Sequence, residues 1–250
     1  MNKKNKINLQ EIYDKYVKIN NNEEYLNRYK KLPVSSIEEF IDKMNFPRII
    51  TLLEFERLVK KYDIKPENLL MYNGGENGDP ELKFINPKKI HPIDYNTNTG
   101  ENDLHTFENN FKNFDFILFA QTLEHVIDPF KCLSQLIKHL KPGGYVFTSV
   151  PVRNFEHDTP FHCYMGFTPI GLGAIFQQVG FEIVEIGQWG NSKYIDLMNH
   201  GRFWPTYDRL KKGVKNKVDI FQPFNILKDG TLNEFKNPVD AWILAKRPNV

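Results

Sequence analysis

The stretch "FDFILFAQTLEHVIDPFKCLSQLIKHLKPGGYVFTSVP", residues 114–151, constrains the fold more tightly than any other. It opens on a continuous apolar run, Phe114 to Ala120, and closes on a second, "GYVFTSVP". Uninterrupted runs of this length are the pattern of strands buried on both faces of a parallel sheet. Between them, Asp128-Pro129 supplies an N-cap and an N1 proline. Phe130, Leu133, Leu136, Ile137 and Leu140 then form an apolar stripe that "KPGG" stops. Strand, helix and strand in that order predict a right-handed crossover.

The rest of the chain repeats the alternation. Ile50, Leu53, Leu58 and Val59 in "IITLLEFERLVKKYDI" lie at helical spacing, with basic residues at the helix end. "ENLLMYN" is a short strand running into "MYNGGENGDPELK", and "KKIHPIDYN" is the next strand. Thr168-Pro169 caps a second helix, "TPIGLGAIFQQVG", which Gly180 ends. "FEIVEIG" and "VDAWILAKR" are the last strands. The expected architecture is α/β, a doubly wound and mostly parallel sheet. About fifty residues, 188–237, separate the last two strands, too many for an ordinary hairpin and suited to a lid. Residues 1–47 are polar, with a capping-box pattern from Ser36 to Glu39, and are expected to form a helical extension to a main domain over 48–250.

Composition excludes several classes. Lys and Arg total 33 against 31 Asp and Glu, a net +2, too balanced for a surface built throughout for nucleic acid. Two cysteines, Cys132 and Cys163, have neither zinc-knuckle nor disulfide spacing. No run approaches eighteen apolar residues and the basic start lacks the apolar stretch of a signal peptide, so the expectation is a soluble intracellular protein with no membrane partner.

The glycine turn fails the dinucleotide pattern: Gly74, Gly75 and Gly78 lead into Asp79-Pro80 rather than into a helix. Its setting gives it another meaning. The "LEHV-DP", "LKPGG" and "VP" landmarks, continued by "HDTPFHCYMGFTPIGLGAIFQQVGFEIVEIGQWGN", resemble the class I S-adenosylmethionine-dependent methyltransferases, of the type 11-like group, over residues 66 to 250. The resemblance implies a seven-stranded Rossmann-like sheet with an antiparallel last strand and S-adenosylmethionine across the C-terminal ends of the first strands. In the family's loop pattern, an acidic residue ends the strand and three glycines alternate after it. Gly74 and Gly78 match, whereas Tyr72 stands for the acid and Glu76 for the middle glycine, with Gly75 between. Glu76 would either replace the missing charge or block the approach.

By the same resemblance, Asp94 would accept from both ribose hydroxyls, a bidentate arrangement open to a carboxylate. Its short offset from the loop implies a short or absent first crossover helix. Asp103 and Leu104 would contact the adenine, unless Asp103 is only a turn residue. Gln121 and Thr122 would line the pocket beneath the sulfonium, and Glu124-His125 would either fix the loop or touch cofactor or substrate. Methyl transfer to oxygen requires removal of a proton, for which a near-neutral histidine is suited. His157 or His162 is the candidate base, with Asp158 orienting it; a metal held by these three is the lesser alternative, and none is expected. In the insertion, Trp189, Asn191, Tyr194 and His200, with Trp204 and Tyr207 beyond, would grip a ring-shaped polar acceptor, or else pack in the core. "RLKKGVKNKV" (209–218) would bind phosphate or face solvent. The function expected is methyl transfer to oxygen or nitrogen of a small polar acceptor such as a sugar or sugar nucleotide. The alternatives are a methyltransferase-fold pseudo-enzyme acting as a binding module, and a nucleic-acid methyltransferase, against which "FAQTLEH" stands where an N-P-P-Y-type tetrad would be.

Overall fold

The computed structural model describes residues 7–18, 44–72, 79–95, 99, 101–106, 113–155, 165–201 and 233–249. Strands β1 (Asn68–Tyr72), β2 (Lys89–Ile93), β3 (Phe114–Ala120), β4 (Leu140–Pro151), β5 (Glu182–Trp189) and β6 (Asp240–Lys246) form one sheet in the order β2-β1-β3-β4-β6-β5. β1 to β4 are parallel, and β6 runs antiparallel between β4 and β5. From β1 the chain moves outward to β2 and then returns to β3 on the other side. That reversal places a topological switch point between β1 and β3, where open α/β sheets seat ligands beyond the carboxyl ends of their strands.

Helices cover both faces. Helix α1 (Leu9–Ile12) continues as a π-helical turn through Val17, followed by α2 (Phe46–Lys61), α3 (Pro129–His139), α4 (Pro169–Val179) and α5 (Ser192–Gly201). Each N-terminus has a side-chain cap where the sequence offers one. Asn45 accepts from Arg48 N at 2.9 Å, Asp128 from Lys131 N at 3.0 Å, and Thr168 from Gly171 N at 3.2 Å. Gly180 closes α4 at φ +107°, a conformation that glycine adopts without penalty.

One core layer joins Phe46, Ile50, Phe55 and Leu58 of α2 to Phe147, Trp189 and Trp242 of the sheet. The other joins Ile12 and Val17 to Leu133 and Leu136 of α3 and Phe176 of α4. The N-terminal turn thus contributes to the main core.

Two sequence expectations change. Six strands, not seven, are present among the described residues. Between β2 and β3 the described part is held as turns, with Thr106 N bonded to Asp103 O and His105 N to Asp103 Oδ1. The "KPGG" stretch belongs to β4, where Phe114 pairs with Leu140 but Phe116 with Tyr145, so residues 141–144 form an irregularity. Among the described residues of the first crossover, the helical element is a 3₁₀ turn, Pro80–Lys83.

Candidate functional site

Beyond the ends of β3 and β4 lies a cleft of about 170 Å³. Its walls are Gln121, Glu124 and His125 after β3, Pro151 and Arg153 at the end of β4, Asp240 at the start of β6, and Asn45 and Pro47 at the head of α2. Gln121 takes a left-handed conformation, φ +48°, unusual for a residue other than glycine. Its N–H bonds to Ser149 O at 2.8 Å and its amide to Ser149 Oγ at 3.2 Å, which fixes the chain as it leaves the sheet. Thr122 is buried and its hydroxyl bonds to Ala120 O at 2.9 Å. A 3₁₀ turn, Leu123–His125, then carries Glu124 to the floor.

The floor is acidic and its two carboxyl side chains are buried. Glu124 is 2% exposed and its Oε2 has no hydrogen-bond partner; Asp240 is 3% exposed and its Oδ1 has none. Burial pushes the Glu124 carboxyl up to about 8, against a lowering pull from its own N–H and from Arg48. Burial, and next the proximity of Glu124, hold Asp240 well above the carboxylate range.

The nearby cation is already engaged. Arg48 of α2 pairs with both oxygens of Glu81, the Nη2–Oε2 contact being 2.6 Å, and reaches Asp79 at 3.3 Å. This anchor binds the head of α2 to the 3₁₀ turn that follows the glycine segment. Burial and Glu81 together raise the Asp79 carboxyl. His125 Nε2 lies 3.8 Å from Glu124 Oε1, and exposed Arg153 stands at the rim.

A second group of residues converges over β1. Tyr72 is buried, its ring edge-on to Phe119 and its hydroxyl donating to Asn102 O at 2.7 Å. Burial, and then the nearby Cys132, Asp103 and Asp94, raise its hydroxyl pKa. Asp94 is exposed just past β2. Asp103 Oδ1 accepts from His105 N at 2.9 Å and pairs with His105 Nδ1 at 2.6 Å, while His105 Nε2 accepts from Asp128 N at 3.0 Å. His105 is therefore the Nδ1–H tautomer, bridging to the cap of α3. Burial opposes the charge on Asp103, but the His105 hydrogen bonds outweigh it and hold that carboxyl below its usual range. Leu104 is buried alongside.

The sequence-derived candidates therefore separate. Gln121 and His125 line the cleft, Thr122 lies beneath it, and Tyr72, Asp94, Asp103 and Leu104 gather at the switch point. Trp189, Asn191 and Tyr194, read as an acceptor grip, are instead buried in the core. Trp189 meets Phe46 at 4.9 Å and Tyr194 at 5.3 Å between ring centroids, and Asn191 Oδ1 accepts from Lys193 N at 2.9 Å. Their burial follows from the base of the insertion, which Gly190 N to Asn233 Oδ1 (3.0 Å) and Ser192 Oγ to Glu234 Oε1 (2.9 Å) stitch shut. His200 lies on α5, with its side chain outside the described residues, as are Gly74, Gly75, Glu76, Gly78, His157, Asp158, His162, Trp204, Tyr207 and the basic run. Sequence reasoning passed over Asp240 and Arg48. The available signals were an acid opening the apolar strand "VDAWILA" and an arginine directly behind the Asn45 cap.

The switch-point residues fit an adenosyl cofactor. An unburied carboxylate at the end of the second strand and a buried apolar Leu104 beside a second acid match the diol and the base of a nucleoside in chemical type. Among the described residues no group of three or more His, Cys, Asp or Glu could hold a metal, and no helix is long and apolar enough to cross a membrane.

Comparison with known proteins agrees with this layout. The sequence profile of a family described as "Methyltransferase domain" matches residues 51–186, more than half of the chain. No curated protein matches the sequence. Among solved structures, phosphoethanolamine N-methyltransferase 2 of Haemonchus contortus, in complex with S-adenosyl-L-methionine, is 16% identical with a TM-score of 0.50. That match covers 98% of this chain and 61% of that one. The N-methyltransferase NodS of Bradyrhizobium japonicum is 12% identical over 89% of this chain and 96% of its own, TM-score 0.49. A SAM-dependent methyltransferase of Archaeoglobus fulgidus is 18% identical over 80% and 94%, TM-score 0.48. At such identities the likeness concerns the fold alone.

Proposed function

The chain belongs to the class I S-adenosylmethionine-dependent methyltransferases, and from this premise we propose that it methylates an oxygen or nitrogen of a small polar acceptor, such as a sugar or sugar nucleotide, held in the cleft beyond β3 and β4. The supporting observation is the adjacency of two differently built regions across the Gln121 turn. On one side stand Asp94, Asp103 and Leu104 at the switch point; on the other is a cleft of about 170 Å³ with a polar floor, a size for a small molecule or one end of a larger one.

The cofactor, when bound, supplies a sulfonium methyl group and a neutral thioether as leaving group. The chain's own residues bind and orient. Asp94 takes the ribose hydroxyls, and Leu104 and Asp103 flank the base. The glycine turn, with Tyr72 at its start and Glu76 within it, borders the amino-acid portion. Gln121, Thr122 and His125 hold the boundary between cofactor and acceptor. Water exclusion at the floor strengthens every polar contact made there, and holding the acceptor in line supplies most of the rate gain such a protein can offer. His157 or His162, oriented by Asp158, is the proposed proton acceptor for a hydroxyl substrate.

Asp94→Ala tests the assignment. Loss of hydrogen bonds to an ionised carboxylate predicts S-adenosylhomocysteine binding weaker by about 10- to 100-fold in calorimetry. Unchanged affinity would remove Asp94 from the site.

A further inference from the structure

The cleft floor holds two buried carboxyl groups, and among the described residues the nearby cation, Arg48, is hydrogen-bonded to Glu81 and Asp79 instead. Glu124 and Asp240 both line the cleft, and each has a buried oxygen without a hydrogen-bond partner. Buried polar atoms in native proteins are nearly always satisfied, so two such atoms in the lining of one cleft ask for a hydrogen-bonding partner from outside the chain. Their orientation is fixed rather than accidental. Glu124 sits on a 3₁₀ turn whose carbonyl also receives Met165 N at 3.3 Å, and Asp240 opens β6 in register with Pro151 of β4 and Trp189 of β5.

The charged groups around the floor sharpen the requirement. Arg48 is committed to Glu81 and Asp79. His125 stands 3.8 Å from the opposite oxygen of Glu124, and Arg153 lies at the exposed rim. Gln121 bonds towards Asp240 but brings no charge. A neutral hydroxyl acceptor would offer the floor a single hydrogen. A primary amine in its free-base form offers two, and keeps a lone pair for the methyl group.

Resting on the reading of this cleft as the acceptor site, we propose that the acceptor is a primary amine reacting as its free base: its two N–H groups donate to Glu124 and Asp240, its lone pair forms the new N–C bond as the S–C bond of the sulfonium breaks to leave a thioether, and the methylammonium so formed gives up one proton to solvent. An amino sugar satisfies both this requirement and the polar character of the walls. The two carboxyls act as binding groups, holding the nitrogen at the floor of the cleft.

The test separates this inference from the function it rests on. S-Adenosylhomocysteine is first titrated by calorimetry into wild type, Glu124→Gln and Asp240→Asn. Each protein saturated with it is then challenged with matched pairs: ethylamine against ethanol, ethanolamine against ethylene glycol, and glucosamine against glucose. The expected result is that the amine of a pair binds and its alcohol does not, and that each variant loses about tenfold or more in amine affinity while retaining S-adenosylhomocysteine. Retained cofactor binding also certifies that a variant is folded, and the wild-type panel needs no variant at all. Alcohols binding as well as amines, no amine binding better than its partner, or amine affinity unchanged in both variants would each overturn the proposal and leave the methyltransferase reading standing. Failure of S-adenosylhomocysteine to bind wild type would instead strike at that reading.

Discussion

At the scale of single residues, the features that matter most are buried and charged. Glu124 titrates near 8 in the folded chain, far above its ordinary 4.5. Between those values the unfolded chain loses its proton while the folded one keeps it, so folding stability falls as pH rises from about 4.5 to 8 and levels above that. Glu124→Gln removes this residue's share of the slope. Denaturant melts at pH 5, 7 and 9 should show the variant gaining on wild type with rising pH, by on the order of a few kcal/mol at the alkaline end; parallel curves would contradict the assigned burial. Gly187 illustrates a packing constraint. A Cβ there would come within 2.2 Å of Trp242 Nε1, its partner across the β5–β6 pairing. Gly187→Ala should therefore cost about 1–3 kcal/mol by overpacking, read as a lowered melting temperature in circular dichroism. Such residues were hard to read from sequence. The places of Asp94 past β2 and of His125 past β3 were legible because landmarks on either side fix them. Asp240 and Arg48 were not, because an acid or a base in isolation carries no sign that the fold will bury it beside other ionisable groups.

At the scale of elements, periodicity and capping chemistry carried most of the information. Asn45, Asp128 and Thr168 each accept the backbone hydrogen bond that their place before a proline-led helix implies. The apolar run of β3 is buried along its length except at Asp115. What periodicity misjudged was the end of α3. "KPGG" reads as a stop, yet the chain enters β4 at once and absorbs those residues as an irregularity, a distinction set by pairing with Phe114 rather than by local preference. Trp189 and Tyr194 could have faced either way; stitching of the insertion's base by Asn233 and Glu234, over forty residues downstream, accompanies their place in the core. The anchor between α2 and the Pro80–Lys83 turn is similarly non-local. Arg48→Met leaves Glu81 buried and unpaired and should cost about 3–5 kcal/mol, whereas Arg48→Met with Glu81→Leu should recover much of that loss. Equal destabilisation by the single and double variants would show that the pair does not couple the two elements.

At the scale of the whole molecule, the sheet order and its switch point organise everything functional. The same reversal of strand order that brings Tyr72, Asp94 and Asp103 together puts the Gln121 turn between them and the acidic cleft. In the proposed reading, one end of the sheet would hold the nucleoside and the acceptor side by side. A net charge of only +2 on 250 residues fits a small acceptor better than a polyanion. The altered glycine segment, with Tyr72 and Glu76 where an acid and a glycine would stand, is the point on which this account depends. Calorimetric titration of S-adenosylhomocysteine into the full chain tests it most directly. The account predicts saturable binding of one molecule per chain, weakened by Asp94→Ala; no heat and no thermal shift at millimolar cofactor would contradict it.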